Sequence, residues 1–113
     1  MPNFERLDVY QCAIAFLAMA TRLAVKIPRG QSALADQLRR ASLSIPLNIA
    51  EGSGKSTPND GSRYYAVARG SAMECAAILD ACRILKIGDH KTIGEAKDLT
   101  ERMVAMLSKM MTF

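Results

Sequence analysis

Apolar residues recur three and four positions apart along most of the chain, the period of a helix with one buried face, and the pattern breaks at three glycine- or proline-bearing stretches. The first stripe runs Tyr10, Ala13, Leu17, Ala20, Ala24, Ile27 and stops at Pro28 and Gly30. Asp8-Val9-Tyr10-Gln11 has the form of a capping box at its start, with Leu7 and Cys12 placed for a hydrophobic staple. A second helix opens near Ser32, a good N-cap, and presents Leu34, Leu38, Ala41, Ile45 and Asn48 on one face. It ends at Gly52 and Gly54, with Gly52 suited to the left-handed C′ position. Pro46 sits in its body, removes a hydrogen bond to the carbonyl of Ser42 at a cost of about 3 kcal/mol, and predicts a local bend.

Thr57 as N-cap, Pro58 at the first helical position and Asp60 at N3 open a third helix. Its stripe reads Tyr64, Val67, Ser71, Cys75, Ile78, Cys82, Leu85 and continues to Gly88. A fourth helix begins between Asp89 and Thr92 and carries Ile93, Ala96, Leu99, Met103, Met106 and Met110. Four amphipathic segments with short connections predict an all-α chain, an antiparallel up-and-down four-helix bundle formed as one domain over residues 1–113. Some apolar residues fall beside these stripes: Ile14, Ala18 and Val25 in the first helix, and Leu107, Met111 and Phe113 at the end of the chain. Apolar residues on a second face predict self-association.

Composition agrees with the pattern. Half the residues are hydrophobic but only 5% are aromatic, so alanine, leucine, isoleucine and methionine build the core, as in packed helices. Antiparallel register about the 52–58 turn places Arg40 opposite Ser71 and Glu74, and Asn48 opposite Tyr64. A buried charge or amide without a partner costs several kcal/mol. Arg40 is therefore expected to pair with Glu74, and Asn48 to be satisfied inside the bundle. Arg39, Glu51 and Arg69 complete the expected structural polar network.

The formal charge is +4, and residues 1–72 account for it with nine basic side chains against five acidic, while residues 73–113 carry six of each. Arg22, Lys26 and Arg29 cluster at the end of the first helix, and Lys55 and Arg63 lie around the turn into the third. These five are the candidate contacts to nucleic-acid phosphates, with DNA or RNA as partner. Cys75 and Cys82 stand about 10 Å apart along one helix, beyond the ~7 Å a disulfide spans. With Cys12 they read as reduced core thiols of a cytoplasmic protein. The longest apolar run, Cys12 to Ala20, is shorter than the roughly 20 residues of a bilayer span. The amino-terminal Glu5, Arg6 and Asp8 lack the form of a signal peptide, so no membrane partner is expected.

Chemistry-bearing motifs are scarce. Gly52-Ser53-Gly54-Lys55-Ser56 resembles the end of a phosphate-binding loop, but the pattern needs glycine where Ile49 stands, and a helix rather than a strand leads into it. A di-iron bundle needs two Glu-x-x-His motifs, and His90 is the single histidine. No serine or cysteine is paired with a base. The expectation is a protein without cofactor, metal site or catalytic residues.

Three segments carry a resemblance: Leu7-x-Val9-Tyr10-Gln11-x-Ala13, the run Gln37-Leu38-Arg39-Arg40-Ala41 to Asn48-Ile49-Ala50-Glu51-Gly52, and Ala68-Arg69-Gly70-Ser71-x-x-Glu74. Through them the chain resembles the bacterial four-helix-bundle family that includes proteins encoded in intervening sequences of 23S ribosomal RNA genes. The resemblance implies a compact antiparallel bundle assembling as a homopentamer. It also implies kinship with accessory proteins of diversity-generating retroelements, whose basic pentameric barrels bind a reverse transcriptase and nucleic acid. Five copies would carry about +20, a charge attractive to RNA. The expected function is a non-enzymatic, RNA-associated accessory oligomer; the alternative is a protein-binding scaffold without nucleic-acid affinity.

Overall fold

A computed structural model of the chain describes residues 4–112. After a short turn at Phe4–Arg6 come α1 (Asp8–Lys26), α2 (Ser32–Ser53), α3 (Pro58–Ile84) and α4 (His90–Met110). Each helix packs on the two beside it, α4 closing on α1, and among the described residues the diagonal pairs make no close backbone contact. The result is the expected antiparallel four-helix arrangement, 44 Å long and 26 × 22 Å across.

Two helix starts match the sequence signals. Thr57 Oγ1 accepts from the Asp60 amide at 3.2 Å, and Asp89 Oδ1 accepts from the Thr92 amide at 2.8 Å. The other two differ. Leu7, not Asp8, is the residue before α1, and no side chain caps it, because the preceding turn already holds Leu7 through its amide to the Phe4 carbonyl. Ser32 is the first residue of α2, not its cap, and Gln31 ahead of it also makes no side-chain cap. α2 runs unbroken through Pro46.

The largest fully buried side chains are Phe16, Leu38, Ile45, Ile49, Leu79, Ile93, Met103 and Leu107, with Cys75, Cys82, Ser42 and Thr100. In α3 the expected stripe is right in part: Cys75, Ile78 and Cys82 are buried, but the inward face is rotated away from the rest of it. Val67 and Leu85 are 51% and 43% exposed, while Gly61, Ser62, Ala68, Ala72 and Leu79 face inward. The cause is the contact between α2 and α3. A Cβ on Gly52 would lie 2.9 Å from the Gly61 carbonyl oxygen, and one on Gly61 would lie 2.8 Å from that of Gly52. Backbones that touch leave room only for small side chains, so a reading that follows bulky residues lands beside the true face at Val67 and Leu85. Gly52 is thus a helical packing position, not the left-handed terminator expected. Gly54 ends α2, its amide reaching the Ala50 and Glu51 carbonyls at 3.2 Å.

Leu107, expected on an outer face, is fully buried, and Met106 and Met110 pack against the core from its edge. Phe113 lies outside the described residues. Ile14 and Val25 do project outward, Val25 being 75% exposed. By length and composition α1 could cross a membrane, although its Cys12, Ala13, Phe16, Ala20 and Leu23 face is core.

Candidate nucleic-acid interface

The polar residues expected to form one network separate into local arrangements. Arg40 pairs with Asp36 one turn before it, at 3.7 Å between exposed side chains. Glu74 instead accepts from Gln37. The reason is angular. Gln37 and Ser44 of α2 bond across to α3, and Arg40 points about 60° round from Gln37, out of the seam. Asn48 is satisfied within its own helix, donating to the Ser44 carbonyl at 2.8 Å and to Ser44 Oγ at 3.0 Å. Ser71 of α3 donates to the same Ser44 Oγ at 2.9 Å. Arg69 donates to Ser108 Oγ at 3.1 Å, Glu51 pairs with Lys55 at 3.0 Å, and Arg39 is exposed.

The five basic candidates fall at opposite ends. Arg22, Lys26 and Arg29 lie where the α1–α2 and α3–α4 connections meet, here called the loop end. Lys55 and Arg63 lie at the other end, roughly 33 Å away along the 22 residues of α2. Lys55 is engaged there. It reaches Glu51 and stands 4.8 Å above the Tyr64 ring, and the hydrogen bond with Glu51 holds its ammonium pKa up.

Antiparallel folding adds cations that the sequence halves hid. The connections of the loop end, with one flanking helical turn each, hold five basic residues (Lys26, Arg29, Arg83, Lys86, Lys91) against one acidic, Asp89. The opposite end, bounded the same way, holds three basic (Arg6, Lys55, Lys109) against four acidic (Glu5, Asp8, Glu51, Asp60). The middle of the bundle holds seven and six. An excess equal to the whole +4 therefore sits at the loop end. Arg83, Lys86 and Lys91 come from the half of the chain that is balanced in sequence. The antiparallel order of the helices was the signal that could have found them.

Local structure explains how the loop end is built. α3 finishes in a Schellman motif, the Ile87 amide bonding the Cys82 carbonyl at 2.9 Å and the Lys86 amide that of Arg83 at 3.1 Å. Lys86 takes the left-handed position with φ 57°, which costs a non-glycine residue roughly 1–2 kcal/mol. Gly88, at φ 75°, presses the loop onto α1; a Cβ there would lie 2.7 Å from Leu23 Cδ1. Two hollows result, sharing Gly88 and Asp89. One of about 210 Å³ is lined by Arg22, Lys26, Thr92 and Glu95, the other of about 320 Å³ by Arg83, Lys86, His90 and Ile93. Hydrogen bonds from Thr92, reinforced by the charge of Lys26, hold the Asp89 carboxyl below its ordinary value. Among the described residues the ion pairs use Arg40, Lys55 and Lys97, leaving the loop-end cations without one.

The cysteines lie in the core. Burial, with the nearby Glu74 charge, pushes the Cys75 thiol up to about 12, and burial raises Cys12 and Cys82 as well. Such thiols stay protonated and are poor nucleophiles at neutral pH. Among the described residues no three His, Cys, Asp or Glu side chains gather as metal ligands. What the loop end offers chemically is exposed cations on a short, fixed frame, suited to a polyanionic backbone. No curated protein matches the sequence. The 23S rRNA-intervening sequence protein family matches residues 5–109, nearly the whole chain, and the protein belongs to that family.

Proposed function

We propose that this chain is a non-enzymatic, cytoplasmic accessory protein that associates with RNA through its loop end and works as a homopentamer. The observation that carries the reading is the segregation of an excess equal to the full +4 charge to one end. A family named for 23S rRNA-intervening sequences is consistent with an RNA-related role. The contacts are Arg22, Lys26 and Arg29 from the α1 side, with Arg83, Lys86 and Lys91 from the α3–α4 side. Exposed cations release counterions from phosphates, so binding weakens with salt by a log–log slope of roughly −0.7 to −0.9 per phosphate neutralised. Fluorescence anisotropy of a labelled structured RNA, titrated at rising salt, tests this. No binding at low salt rejects it. Sedimentation tests the pentamer, and any other subunit number rejects that part.

A protein-binding scaffold is the second reading, favoured by the outer face of α3. Val67, Met73 and Ile84 are exposed there, Ile84 by 82%, and a groove of about 480 Å³ between α3 and α4 is lined by Met73, Ala76, Ala77, Val104 and Ala105. Gly70 lies on this face with nothing within 4 Å of where a Cβ would be, although mid-helix glycine costs up to about 1 kcal/mol relative to alanine. If RNA fails to bind at low salt, and Met73→Asp dissolves an assembly seen in sedimentation, this reading replaces the first.

A further inference from the structure

Resting on the proposed RNA association, we infer that the loop end takes base-paired RNA, held through the phosphates of both strands, in preference to single-stranded RNA. The first observation is how two kinds of side chain are distributed. Proteins that hold single strands without sequence preference combine a cationic groove with aromatic faces on which unpaired bases stack. This chain has three tyrosines, three phenylalanines and no tryptophan. Phe4, Tyr10, Tyr64 and Tyr65 lie at the opposite end, and Phe16 is fully buried. Among the described residues, then, the loop end presents cations and no aromatic face. Cations without a stacking platform contact the backbone and position it, leaving the bases paired.

The second observation is the spacing of the cations. Four of them form two groups, one on either side of the first turn of α4, which itself carries Lys91. Arg22 and Lys26 line one hollow and Arg83 and Lys86 the other, with Asp89 shared between them. A helix with its side chains is about 10–12 Å across. Two cation groups set that far apart can each meet one of the two phosphate strands that flank the wide, shallow minor groove of A-form RNA. A single strand presents only one row. The acidic groups near the middle fit the same picture. Asp89 is occupied by the Thr92 amide and hydroxyl, and Glu95 lies on the α1 side of the α4 turn. A ligand whose charge runs along two outer strands avoids them better than one whose charge crosses the centre.

The third observation is Lys86. It occupies a left-handed position that glycine fills with less strain, and it is exposed beside Arg83 at the edge of the second hollow. Replacing it with glycine removes the cation and relieves the backbone together. Lys86→Gly is therefore expected to raise thermal stability while weakening RNA binding, a combination that loss of fold cannot produce.

The test is fluorescence anisotropy with three probes of equal length: an RNA duplex of about 16 base pairs, the span of known duplex-reading domains, an unstructured single-stranded RNA, and the corresponding DNA duplex. The RNA duplex is expected to bind about tenfold tighter than the single strand, with a salt slope near −0.9 per phosphate. Lys86→Gly should lower the magnitude of that slope by about 0.9. Equal or tighter binding of the single strand overturns this inference and leaves RNA association standing. Equal or tighter binding of the DNA duplex overturns the assignment to RNA. An unchanged slope in Lys86→Gly overturns the two-sided layout. Failure of all three probes to bind at low salt overturns the proposed function itself.

Discussion

The two ends of the bundle solve different problems with the same helices. At the α2–α3 turn, Gly52 and Gly61 bring backbones into contact, and buried Ser62 accepts from the Thr112 amide at 2.8 Å. Lys55 is tied to Glu51 and Tyr64, and the charges nearly cancel. At the loop end the chain carries a strained lysine, cations that form no ion pair among the described residues, and a glycine that seats the loop on α1. Backbone-to-backbone contact marks one end and net charge the other. The lesson is that close backbone contact and polyanion attraction are carried by different residues here.

The largest effect is expected at the packed end. Gly52→Val places atoms where Gly61 and Tyr65 already are, and overpacking of this kind costs about 1–3 kcal/mol or more. Chemical denaturation should show that loss, and an unchanged midpoint would break the contrast between the ends. Next comes a matched pair of charge reversals. Lys26→Glu with Arg29→Glu and Lys91→Glu should shrink the salt slope for RNA by about 2.7, three phosphates at ~0.9 each. Arg6→Glu with Lys55→Glu and Lys109→Glu at the opposite end should leave it nearly unchanged; equal responses would erase the electrostatic half of the comparison.

A smaller effect concerns the cap of α4. The Asp89 carboxyl titrates lower in the folded protein than in the unfolded chain, so its charge adds stability above the unfolded value of about 3.9. That contribution fades as pH falls through the folded value. Asp89→Ala should therefore lower Tm at pH 7, and the gap to the parent protein should narrow below about pH 4. Thermal melts across that range check it, with Asp89→Asn as the variant that keeps an acceptor but not the charge. The smallest signal is chemical. With Cys75 pushed up to about 12 and all three thiols buried, a thiol reagent at pH 8 should react slowly with folded protein and with all three cysteines after denaturation. Rapid reaction of the folded chain would show that the middle of the bundle opens.

Helix number, order and the cap of α3 were legible in the sequence, because Thr57-Pro58 acts within a single turn and needs no knowledge of neighbours. The inward face of α3 was legible only at Cys75, Ile78 and Cys82. Ala68 and Ala72 carry little hydrophobic signal, and only the touch of two glycines on different helices makes their face the buried one. Arg40 and Glu74 were assigned to opposite positions correctly along the axis but wrongly around it, since an axial register leaves rotation undetermined. The charge bias was visible as a number, but its location was not, because Arg83, Lys86 and Lys91 join Lys26 and Arg29 only after the chain has doubled back.

The touching glycines also act as a fulcrum. They fix α2 against α3 near the 53–58 turn, and α2 extends from there as a lever of roughly 33 Å. A tilt of about 5° at the pivot would swing its far tip, and with it Arg29, by about 3 Å. A site of scattered cations can thus be blurred from the other end of the molecule by a residue that never meets the ligand.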